Sequence, residues 1–166
     1  MSSEVKHLAE ALEGMFTTSD HGWFSSFVSA MDGLTAKQAA TVPTSKFNSV
    51  WGVVNHVRFW QEVALLELQK RTADFEALGA PDGWPKVNER SEAAWQTAKT
   101  RVIEANAKLA AYVAGLSDAD LNEKIKDSDQ WNTRRHLIQS MIAHNSYHVC
   151  ELISLRNMQG WFFDSL

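Results

Sequence analysis

Cysteine is nearly missing from this chain of 166 residues. Cys150 stands alone, so no internal disulfide can form, and a reducing cytoplasm is the expected setting. Basic charge is also scarce. A net charge of −4 and a pI near 5.8 leave no cationic face to neutralise a phosphate backbone, so nucleic acid is not an expected partner. No apolar run approaches the roughly 18 residues that a membrane span needs, so no membrane association is expected. The opening MSSEVKHLAEALEG lacks the basic-then-apolar order of a secretory signal. Strand signals are nearly absent, with only a weak extended pattern at Leu121–Ile125. No repeat, low-complexity tract or shift in composition marks a second domain, so residues 1–166 read as one domain.

What is present is helical. Residues 3–16 place Val5, Leu8, Ala11, Leu12 and Met15 at helical spacing. Thr17–Gly22 holds breaking residues, and Trp23–Met31 resumes as helix until Asp32-Gly33. A connection over 33–47 includes a short turn at Thr35–Ala40. A long helix follows over 49–73, with Asn48 as its cap. Leu78–Val87, with two glycines and two prolines, reads as a loop. The next helix runs from Glu89 to Ala114 and stops at Gly115. Ser117–Asp120 can cap a further turn, and Asp127–Asn132 is polar loop. Thr133 caps a last helix through Met158, with Gly160 just beyond it. Each apolar stripe needs another helix to cover it, so four long helices imply an all-α four-helix bundle with short extra turns in its connections.

The chemistry concentrates in HNSYH, residues 144–148. On a helix, His144 and His148 lie about 40° apart around the axis and about 6 Å along it, so both imidazoles can meet one metal ion. Both fall within about 40° of Leu137, as do Met141 and Leu152, which puts them on the buried stripe. A buried imidazole needs a partner, and a shared ion would serve both. Two core histidines satisfied by separate hydrogen bonds would meet the same need. His56, flanked by Val53, Trp60 and Val63, is the best third ligand from a facing helix. Three imidazoles leave a tetrahedral ion an open position, as in catalytic rather than structural sites. No HExxH is present, so the built-in glutamate base of zinc proteases is missing, and Glu67 or Glu151 is a candidate to assist. His7, His21 and His136 read as exposed or structural, and Cys150 points away from His148 as a small buried residue. Trp51, Trp60 and Trp95 read as packing rather than a substrate box.

At these residues the sequence resembles the DinB family, also known as YfiT-like metal-dependent hydrolases. SVWGVVNHVRFWQEVAL resembles the family's helix carrying a metal-binding histidine, which falls on His56. TRRHLIQSMIAHNSYHVCELISLRNMQG resembles its last helix, whose H-x-x-x-H pair falls on His144 and His148. MDGLTAKQAATVP is similar to the first inter-helix connection. Where many members have Gly-Gln-Ile after the second histidine, this chain has Cys150-Glu151-Leu152. The resemblance implies a four-helix bundle holding one divalent metal, zinc or nickel, often as a homodimer. It also implies a hydrolase, or an S-transferase using a low-molecular-weight thiol, acting on a small electrophilic substrate. A non-catalytic metal-binding stress-response or interaction protein is the competing expectation. The apolar Trp161-Phe162-Phe163 is expected to fold back onto the bundle, leaving a dimer contact elsewhere on the helices.

Overall fold

The computed structural model describes residues 3–17, 24–125 and 132–162, which form six α-helices and one 3-10 turn. In chain order these are α1 (Glu4–Thr17), α2 (Phe27–Met31), α3 (Ala36–Ala39), α4 (Val50–Leu68), α5 (Glu92–Ala114), the turn Asp120–Asn122, and α6 (Arg134–Asn157). The only pairing of extended backbone among the described residues is one bridge between Lys124 and Thr133, which absorbs part of the pattern at Leu121–Ile125. Residues 18–23 and 126–131 lie outside the described set, and so do His21, most of the expected kink and most of the polar loop; the helix expected from Trp23 starts only at Phe27, where Ser26 caps it.

α1, α4, α5 and α6 are the long helices. α1 and α4 each pack against both α5 and α6, which closes a four-helix bundle. α2 packs on α6 and α1, and α3 on α5 and α4. Hydroxyl residues start the helices. Ser26, Thr35, Ser49, Ser91 and Thr133 each accept a hydrogen bond from a backbone N–H of the first turn, satisfying a donor the helix leaves free. The cap of α4 is therefore Ser49 and not Asn48. α4 also ends at Leu68 and not at residue 73. Lys70 adopts a φ of 60° and Arg71 N–H closes back on the Leu66 carbonyl at 2.9 Å, which turns the chain out of the helix.

Burial follows the helical stripes. One apolar cluster gathers Phe16, Phe27, Met31, Trp51, Val54, Trp95 and Leu152. A second gathers Leu12, Leu68, Leu109, Leu121, Leu137 and Met141. Side chains of this size contribute about 1.5–3 kcal/mol each when fully buried. Gln61, Asn106 and Asn145 lie near mid-helix in α4, α5 and α6, all buried. Asn106 Oδ1 accepts from Gln61 Nε2 at 3.2 Å, and Asn106 Nδ2 donates to the Leu12 carbonyl at 3.3 Å. This polar layer ties α1, α4 and α5 in a fixed register, since an unmatched buried amide is costly.

The segment from Ala73 to Trp84 lies over the outer face of α4. Phe75, Leu78 and Ala80 pack there on Phe59, Trp60 and Val63. Past α6, Gly160 takes a φ of 74° and Trp161 folds back against the first cluster, its carbonyl accepting from Arg156 Nε. Phe162 is exposed, and Phe163 lies outside the described residues. Among the described residues no helix is long and apolar enough to cross a membrane.

Candidate metal centre

α4 and α6 run side by side, and their facing stripes carry the three histidines. His56 and His148 are buried, and His144 is half-buried. His144 Nε2 stands 3.3 Å from His56 Nε2 and 3.1 Å from His148 Nε2. All three ligand atoms lie within 4.8 Å of one another.

The opposite ring nitrogens fix the protons. His56 Nδ1 lies 2.7 Å from the Gly83 carbonyl oxygen, which can only accept, so Nδ1 carries the hydrogen. His148 Nδ1 lies 2.7 Å from Glu151 Oε2 and donates to that carboxylate. With Nδ1 carrying the hydrogen, a neutral ring presents its Nε2 lone pair to the centre, and both His56 and His148 are so arranged. His144 can bring at most one proton to the gap, and that proton can satisfy only one of two facing lone pairs. Its Nδ1 is buried and has no hydrogen-bond partner. The cluster is short of protons and suited to a cation. Two nitrogens each about 2.05 Å from a tetrahedral ion stand about 3.3 Å apart, which the two measured separations approach. The residues present thus fit a divalent transition metal held by three neutral imidazoles.

Burial keeps the His56 and His144 rings neutral. It pushes the His56 imidazole down to about 4, against a smaller opposing effect of its bond to Gly83. Burial likewise takes His144 down to about 3, reinforced by His148 and His56 beside it. The hydrogen bond from His148 holds the Glu151 carboxyl below its ordinary range, with Asn48 Nδ2 adding a contact to Oε1 at 3.4 Å. Glu151 is thus an ionised acceptor that orients the His148 ring, the outer-sphere role carboxylates commonly take beside metal-binding histidines.

Glu67 does not take part. It lies eleven residues beyond His56 on α4, about 16 Å along the axis, beside Lys70, Glu123 and Arg134. His7 and His136 are exposed and remote from the cluster. Cys150 is exposed rather than buried. Trp95 is fully buried and donates to the Leu34 carbonyl at 2.8 Å, and Trp51 packs on it with ring centres 5.2 Å apart. These two are packing residues.

Sequence reasoning missed Gly83 and Trp84, which lie in the stretch read only as loop. Trp84 stacks on the His56 ring, with centres 3.7 Å apart and planes 16° from parallel. Gly83 has a φ of 76°, and a Cβ there would stand 3.1 Å from the Trp60 ring. Glycine is required on both counts if its carbonyl is to reach His56. The signal available was an aromatic set between a glycine and a proline, Gly83-Trp84-Pro85.

The model of one protein family, described as the DinB superfamily, matches residues 22–152 and so takes in all three histidines. No curated protein matches the chain.

Proposed function

The chain belongs to the DinB superfamily, and from that membership together with the histidine geometry we propose that it is a metal-dependent enzyme acting on a small electrophilic molecule. The observation that carries this reading is the convergence of three Nε2 atoms with two of the opposite nitrogens engaged by fixed acceptors. Zinc or nickel suits such a ligand set. A bound ion would supply Lewis acidity, polarising an electrophile or favouring the deprotonated form of a water or thiol.

The protein's own residues do the positioning. Gly83 O and Glu151 Oε2 keep protons on Nδ1 of His56 and His148, so Nε2 stays free to ligate. Trp84 covers one face of His56. Three protein ligands leave a position for substrate or a small thiol, the pattern of catalytic sites. Hydrolysis and thiol transfer both fit, and thiol transfer to the electrophile is tested first.

Protein purified without an affinity tag is expected to carry one equivalent of zinc or nickel by elemental analysis. The metal-loaded protein is then incubated with chlorodinitrobenzene plus a small thiol, and separately with nitrophenyl esters. Turnover in one arm, absent from His148→Ala, supports the reading. Bound metal with turnover in neither arm favours a non-catalytic metal-binding protein, and absence of metal ends the proposal.

A further inference from the structure

Tyr147 precedes His148 on α6 and lies about 60° round the helix from His144, on the flank of the ligand face. Its ring centre is 5.0 Å from that of His148, edge to face, yet Tyr147 is 69% exposed. A tyrosine this exposed contributes little to the fold. It gains most if something covers it, because burying an aromatic ring is strongly favourable. Trp84 meets the same His148 ring edge-on at 6.3 Å while stacking on His56. Its loop is held by the Gly83–His56 hydrogen bond and by Trp84 N–H donating to Asp82 Oδ1 at 3.0 Å. One aromatic wall of the cluster is therefore held by its loop and the other lies exposed to solvent.

Resting on the metal-site reading above, we infer that Tyr147 and Trp84 form an aromatic slot that selects small molecules with a flat, unsaturated body carrying the group that faces the metal. Tyr147 is the specificity-determining residue. It acts through its ring and not its hydroxyl, because the ring is what lies beside His148.

The test uses the cobalt-loaded full chain and two hydroxamates that share one metal-binding group. Acetohydroxamate carries a methyl, benzohydroxamate a phenyl. Affinities are read from the visible cobalt spectrum. The wild-type protein is expected to prefer benzohydroxamate roughly ten-fold, the scale of one well-placed aromatic contact. Tyr147→Ala is expected to abolish the preference without changing bound cobalt or the acetohydroxamate affinity. Tyr147→Phe should keep it. A preference unchanged in Tyr147→Ala, or lost in Tyr147→Phe, overturns the slot while leaving the metal site standing. Failure to hold cobalt, or to bind either hydroxamate, overturns both readings.

Discussion

Glu151 and His148, three residues apart on α6, share a hydrogen bond of 2.7 Å in which an ionised carboxylate accepts the Nδ1 proton of a ring whose Nε2 faces the two other histidines. The bond does two things. It selects the tautomer able to ligate, and it places a negative charge one ring away from the ion position.

Glu151→Ala is accordingly expected to weaken metal affinity by about 10–100-fold, the usual consequence of removing such an acceptor. Glu151→Gln keeps an oxygen for Nδ1–H but loses the charge, so it should fall between the wild type and the alanine variant. Competition with a chelator of known affinity measures all three. Equal affinities would show that Glu151 does not orient the ring.

A shared ion couples its ligands, and this gives a second expectation. Metal should raise the unfolding free energy of the wild type by about 2.7 kcal/mol when free metal is 100 times its dissociation constant. His144→Ala and His148→Ala should each lose nearly all of that gain, and the double variant should lose little more. Such non-additivity is the mark of one interaction broken twice. Independent, additive losses in the calorimeter would mean that the two rings serve separate partners.

The parts of this architecture that were legible from sequence are the local ones. Helical spacing places His144 and His148 on the buried face of α6 because periodicity is a property of the segment itself. The end of α4 was misplaced because Phe75 and Leu78 find a better partner in the outer face of α4 itself, around Phe59 and Trp60, than in prolonging the helix. The sequence reading also took Asn48 as the cap of α4, where the structure has Ser49. Ser49 wins because its Oγ accepts from Gly52 N–H while the Asn48 amide is drawn to Glu151, a residue 103 positions away. Trp84 was missed for the same reason, since nothing in residues 78–87 states which helix they lie upon. Glu151 stood among the candidates, but its role as orienter rather than base follows from a rotamer, which spacing does not specify.

Acidification should destabilise the metal-free protein. In the unfolded chain histidines titrate near 6.5. In the fold, His56 titrates at about 4 and His144 at about 3. As pH falls below about 6.5 the unfolded state takes up protons that the native state refuses, so stability drops through this window and levels off only below about 3. Urea midpoints at pH 7 and pH 5 measure it. His144→Gln should show a smaller drop between these two values than the wild type. A pH-independent wild type would mean that the rings are not held neutral by burial. Metal occupancy should fall in the same direction, since protons compete for the same nitrogens.

Gly83 offers the sharpest separation of site from fold. Its φ of 76° and the Trp60 ring at 3.1 Å from a would-be Cβ both resist any side chain, while its carbonyl receives the His56 proton. Gly79 has a nearly equal φ of 73° with nothing within 4 Å of a Cβ. Replacing either by alanine imposes a similar backbone penalty, about 1–2 kcal/mol. Only Gly83→Ala also crowds the Trp60 ring, and the adjustment this requires falls on the residue whose carbonyl accepts from His56. Both variants should therefore unfold at lower denaturant, but Gly83→Ala alone should lose metal affinity, on the order of ten-fold or more. If Gly79→Ala weakens metal binding equally, the loop acts on the site through its stability. If neither variant does, the bond from His56 to Gly83 has no part in presenting Nε2.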